Sequence, residues 1–180
     1  MKTKTIVQTS MAVAINIVGA YIGTVVKFVF LDTIGTFMAA FLFGPVYGMI
    51  VGAVTLLVSG TLFDSSAYFF IPVQIILGLL GGYIYKSGFF RDVKPVKIVI
   101  GILGITIPAS VVAAIIASFV FGGITTSGTS YIVMVLKQAG VSVFNASFIS
   151  QLPMDLLDKT ITILLALTIV KRLKLDNFKR

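Results

Sequence analysis

The chain has no cysteine and no histidine among its 180 residues. That excludes a disulfide framework, thiolate chemistry and ordinary zinc, haem or iron–sulfur ligation, so no metal or cofactor is expected. Tryptophan is absent too, and only 11% of the residues are charged. No glycine-rich loop runs into Lys and Ser/Thr, so nucleotide binding of the P-loop kind is excluded. No nucleophile–base pair is visible, and the chain is not expected to be an enzyme. Proline is sparse, with five in all; each is therefore informative about where helices start, bend or stop.

What remains is apolar. The chain is 58% hydrophobic, with a mean hydropathy of +1.10. A soluble domain of this size needs more polar surface, so the reading is an all-α integral membrane protein with one domain over residues 1–180. The net charge of +8 would suit nucleic acid in a soluble protein. In a membrane protein it speaks of orientation, and no nucleic-acid partner is expected. Lys2 and Lys4 precede an apolar run, as in a signal peptide. That run continues from Met11 to Val26 without a small-residue cleavage site, so it is read as a mature helix.

Asp32 to Gly60 fixes the topology. No charge follows Asp32 in this stretch. As one helix it would reach about 44 Å at 1.5 Å per residue, too long for a hydrocarbon core of about 30 Å. Gly44-Pro45 sits near its middle, and proline disfavours helical geometry in the residue before it. The stretch is therefore read as two short helices folded at Gly44-Pro45, about Thr33–Phe43 and Val46–Thr61. The other helices are placed at about Thr5–Val26, Tyr68–Tyr85, Ile98–Phe121 (kinked at Pro108) and from Pro153 to Lys171. This makes a six-helix transmembrane bundle. Tyr131–Gln151 is too polar for a lipid-facing span and is read as a partly helical cap or re-entrant segment.

Charge supports the fold-back. Both termini and the Lys86–Lys97 loop carry 11 of the 14 basic residues, and Lys27, Lys137 and Lys159 lie on the other side. The positive-inside rule then puts both termini in the cytoplasm. A single span over Asp32–Gly60 would send the basic middle loop outside.

Small residues mark close helix contacts. Gly44, Gly48 and Gly52 recur four apart, and Thr55 and Ser59 continue the row as polar points. In the first helix, Ala12, Asn16, Gly19, Ala20 and Gly23 form a stripe of small residues plus one amide. It serves either packing within the molecule or docking of another membrane subunit. On the second reading, Trp at Ala14 or Ala20 should block docking and leave ligand binding intact.

Polar groups collect on the outer side, where they can line a pocket for a small polar molecule. The candidate ligand contacts are Lys27, Asp32, Thr55, Tyr68, Gln74, Tyr131, Lys137, Asn145, Asp155 and Lys159. Several have a plain structural alternative. Asp32 can cap the second helix. Asp155 and Asp158 suit a helix start, and Asp155–Lys159 suits a four-residue ion pair. Tyr68, Phe69 and Tyr131 suit either stacking walls or an interfacial belt. Gln74 and Asn145 are the stronger candidates, since a buried amide needs specific partners.

The ordered set Ala12–Gly19, Leu31–Thr36, Phe43-Gly-Pro-Val-Tyr-Gly48, Gly52–Thr55, Gly78–Gly82 and Pro153–Lys159 resembles the substrate-binding component of energy-coupling factor (ECF) vitamin transporters, over essentially the whole length. Many members carry Asn where this chain has Leu56. The resemblance implies capture of a water-soluble vitamin outside the cell, with the loop after the first helix gating the pocket. It implies as partners a transmembrane coupling subunit and two cytoplasmic ATPase subunits, docking on the small-residue face of the first helix. The Leu-Asp-Thr-Ile-Gly subgroup looks closest to members handling pyridoxine, hydroxymethylpyrimidine or pantothenate, and the aromatic supply favours the heterocycles. The alternative is a stand-alone secondary transporter or channel. It would need an intramembrane coupling carboxylate, which the sequence does not reveal.

Overall fold

A computed structural model of the chain describes residues 3–26, 29–90 and 95–178, and the side chains of all of these except residue 24 and residues 174–178. Helices are the only regular elements among the described residues, which hold no strand. Gly44 turns the chain as expected. It takes φ 108° and ψ 173°, a region open in practice only to glycine. Its N–H donates to the Ala40 carbonyl at 3.0 Å, and its own carbonyl accepts from Tyr47 N at 3.1 Å. Pro45 then opens the next helix, where a missing N–H leaves nothing unpaired.

The elements are α1 (Thr3–Val26), α2 (Ile34–Phe43), α3 (Pro45–Leu62), a 3₁₀ turn (Ser65–Phe70), α4 (Ile71–Lys86), α5 (Pro95–Phe121), α6 (Thr129–Gln138) and α7 (Val143–Phe178). Four of the apolar helical stretches are long enough to cross a membrane: Thr3–Gly23, Pro45–Leu62, Ser65–Lys86 and Pro95–Phe121. α2 is short and apolar all round, and Gly35 through Phe41 are buried without a break. α1, α3, α4 and α7 pack around it.

Glycine lets backbones touch along two seams. A Cβ at Gly78 would lie 2.4 Å from the backbone of Gly48 and Met49, and one at Gly82 would lie 2.4 Å from Pro45 Cα. The row Gly48, Gly52 therefore marks the α3–α4 contact. A Cβ at Gly35 or Gly19 would likewise strike the carbonyl of Ala12 or Leu31. The stripe on α1 thus faces inward: Ala12, Asn16, Gly19 and Gly23 are buried, Ala20 is half-buried and Ala14 is exposed.

Seven α-helices form among the described residues where the sequence suggests six. The difference lies after residue 128. The segment expected as a cap or re-entrant piece forms α6 and the first turns of α7, which begins ten residues before Pro153. An inward row at steps of four explains the continuity: Ala146, Ser150, Asp158, Thr162, Ala166 and Val170 are buried, while Pro153 is exposed on the outer side. Packing of that row holds the helix through a residue that alone would favour a start.

The two ends of the bundle differ. Around Gly44 the interior is closed by Phe37, Phe41, Leu77 and Phe90, with Phe41 stacked on Tyr85 at 4.6 Å. Toward the other end, where α1 and α3 finish, the helices enclose a cavity.

Candidate functional site

The cavity has a volume of about 480 Å³, within the range of small-molecule sites. Its apolar side is built from Phe30, Leu56, Phe63, Phe70, Val73, Leu77 and Met154. Its polar side is built from Asp32, Ser59, Gln74, Thr106, Ser110, Gln151, Asp155 and Lys159. The 125–129 loop closes the top.

Each polar group is set by its element. Asp32 follows α1 and does not cap α2; Thr33 stands at that position, without a side-chain cap bond. The Asp32 carboxylate instead accepts from Gln74 Nε2 at 3.0 Å. Gln74, 3% exposed, also accepts from Thr36 Oγ1 at 3.3 Å. One layer further in, Asn16 Nδ2 donates to Thr36 Oγ1 at 2.9 Å and Thr55 Oγ1 at 3.1 Å, and Asn16 Oδ1 accepts from Gly35 N at 2.6 Å. One amide therefore ties α1, α2 and α3 together beneath the site.

α7 brings three charged groups. Because the helix begins at Val143, Asp155 and Asp158 lie in its interior and cap nothing. Lys159 bonds its neighbour Asp158, at 2.6 Å, and not Asp155 as the four-residue spacing suggested. The other oxygen of Asp158 accepts from the N–H groups of Phe30 at 3.0 Å and Leu31 at 2.9 Å. Leu31 has φ 53°, rare for a residue with a Cβ, so the α1–α2 loop is held in a strained form by a buried carboxylate. Asp155 accepts from Ser110 on α5 at 2.6 Å. An intramembrane carboxylate was not evident from the sequence; the bundle encloses this cluster all the same.

At the rim, Asp64 caps the 3₁₀ turn, accepting from Ser66 N at 2.9 Å and Ser66 Oγ at 2.7 Å. It also accepts from Thr126 Oγ1 at 2.6 Å, which latches the 125–129 loop over the cavity. Burial works against its charge, but the hydrogen bonds from Thr126 and Ser66 outweigh it and hold the carboxyl below its ordinary 3.8.

Of the expected ligand contacts, Asp32, Gln74, Asp155 and Lys159 converge on the cavity. Thr55 sits behind it, bonded to Asn16. Tyr68 lies outside, 39% exposed, its ring over Gly60 and its hydroxyl on Thr61. Tyr131, Lys137 and Asn145 are exposed away from the cavity, and Lys137 donates to the Gly122 carbonyl. Lys27 lies outside the described residues. The aromatic wall is Phe30, Phe63 and Phe70 in place of Tyr68, Phe69 and Tyr131. Leu56 lines the cavity as well.

Three further residues matter. The hydroxyls of Ser59 and Thr106 and the Oε1 of Gln151 are buried without a hydrogen-bond partner, and all three residues line the cavity. Buried polar atoms are normally paired, so these three stand out in the lining. Thr106 and Ser110 had a signal in the sequence: a four-spaced hydroxyl pair astride Pro108 in an otherwise apolar helix.

No curated protein and no solved structure gives a significant match to the chain. The model of the ECF transporter substrate-specific component family matches residues 4–170. The chain belongs to that family: it is a membrane-embedded substrate-binding component of an ECF transporter, and not an enzyme.

Proposed function

We propose that the chain captures a water-soluble vitamin or precursor at the outer face of the cell membrane and delivers it for ATP-driven uptake. Pyridoxine or hydroxymethylpyrimidine types come first, and pantothenate next. The observation that carries the reading is the cavity between the helix ends, where Ser59, Thr106 and Gln151 present polar atoms without a hydrogen-bond partner among the described residues. In this arrangement α1, α3, α4, α5 and α7 cross, α2 with the loop before it makes the sixth passage, and α6 rests on the outer surface. Both termini and the turn at Gly44 lie on the cytoplasmic side, where the basic residues concentrate.

The partners are a transmembrane coupling subunit and two cytoplasmic ATPases. Docking uses the outward face of α1, where Ala14 is exposed. Ala20 lines the cavity, so Trp at that position fills the site and does not test docking. Ala14→Trp is the clean test: vitamin binding by the purified chain, without nucleotide, stays within about twofold, a change under half of 1.4 kcal/mol, while cellular uptake is lost. Unchanged uptake removes this face as the docking surface, and no saturable binding removes vitamin capture.

A second reading is favoured by the enclosed carboxylates Asp32, Asp155 and Asp158, which suit ion coupling in a stand-alone transporter. Substrate flux into liposomes containing this chain alone would select it.

A further inference from the structure

The cavity lining is richer in negative than in positive groups. Among the described residues that line it, Lys159 is the one cation, and its ammonium is already bonded to Asp158. Asp158 is fully buried behind the lining, where it also holds the α1–α2 loop. Asp32 and Asp155 face the open volume with neutral hydrogen-bond donors upon them, Gln74 at 3.0 Å and Ser110 at 2.6 Å, and share with Asp158 the field of the single Lys159 ammonium. Two enclosed carboxylates short of counter-charge are costly, and a cationic guest relieves that cost.

A separate observation points to a guest in the same volume. Ser59 and Thr106 are 5% and 0% exposed, and their hydroxyls have no partner. They sit on α3 and α5, in the same lining as Asp32 and Asp155. Leu56 and Phe70 supply a flat apolar wall beside them.

We propose that this cavity selects a small ligand bearing a protonated nitrogen, placed between Asp32 and Asp155, with a hydroxyl or ring nitrogen on Ser59 and Thr106. Carboxylated and phosphorylated ligands are rejected, because the one lining ammonium is committed to Asp158. The inference rests on the capture reading above and adds the ionic class of the molecule. It moves pantothenate, an anion, out of the candidate set.

The test uses the purified full chain in detergent and three pyridines that differ at one substituent: pyridoxamine (amine), pyridoxine (hydroxyl) and 4-pyridoxate (carboxylate). The aminomethyl and hydroxymethyl forms of 4-amino-2-methylpyrimidine make a parallel pair. On the scaffold that binds, the amine is expected to bind about tenfold or more tighter than the alcohol, and the carboxylate not to saturate. Asp155→Asn, which keeps an acceptor for Ser110, is expected to erase most of that preference. Asp32→Asn serves as a second variant, with thermal unfolding as the check on folding. Equal or tighter binding of an alcohol or of 4-pyridoxate overturns the charge selection and leaves vitamin capture standing. A folded protein that binds none of the five overturns both.

Discussion

At the scale of single residues, the most consequential side chain is one whose role the sequence left open. Asn16 was legible as a polar residue at lipid depth in need of a partner. Its partners, Gly35, Thr36 and Thr55, come from two other helices, and no local pattern names them. Asn16→Leu leaves these groups unpaired in a dry interior. It is expected to lower stability by about 2–3 kcal/mol, measurable as denaturant unfolding in detergent. Gln74 and Asp32 could be read as site residues because a buried amide and a lone acid in an apolar stretch are conspicuous. That Ser59, Thr106 and Gln151 are the ones left without partners could not be read, even with the hydroxyl pair astride Pro108 in view, since only the enclosure shows it. Asp64 yields a pH prediction. Its folded pKa lies below the ordinary 3.8, so its hydrogen bonds to Ser66 and Thr126 stabilise the protein in full above that value. The contribution is lost as pH falls through the folded pKa. Asp64→Ala is expected to cost about 1 kcal/mol at pH 7. The difference in unfolding temperature from the parent should hold from pH 8 to 5 and shrink as pH falls below 3.8 toward and through the lower folded pKa.

At the scale of elements, the bend at Gly44-Pro45 was readable because length, proline and charge all argued for it. The helix start at Pro153 was misread for a related reason. Proline is a local signal, and the inward row from Ala146 to Val170 is a tertiary one; packing decided. The α1 stripe shows the same limit. Small residues announce a close approach without saying whether the neighbour is the same chain, and here most of them meet the entry to α2. Gly44 is the sharpest element-scale test. A Cβ there would meet only the flexible end of Lys86, at 3.4 Å, so the penalty is conformational. Gly44→Ala is expected to destabilise by about 1–2 kcal/mol. Gly78→Ala, which drives a methyl group into the α3 backbone, should cost more. Comparable unfolding midpoints for the two variants would show that the seam, and not the bend, yields.

At the scale of the whole molecule, one end is packed with aromatic rings and the other is hollow. Orientation decides which end meets the medium. Since the chain has no cysteine, single cysteines can report it in intact cells. Ile124→Cys, at a position 48% exposed beside the latched loop, is expected to react with a membrane-impermeant maleimide. Ser87→Cys, at the foot of α4, is expected to react only after the cells are opened. The reverse pattern would invert the bundle and place the hollow end inside. The Asp158 carboxylate carries a consequence at this scale. One of its oxygens anchors the strained crossing from α1 to α2, and the other retains the Lys159 ammonium. A guest that pulls on the ammonium redistributes the grip on the crossing. By reciprocity, anything that shifts the crossing alters how well the guest is held. On the capture reading, cargo and doorway are expected to report to one another through a single side chain.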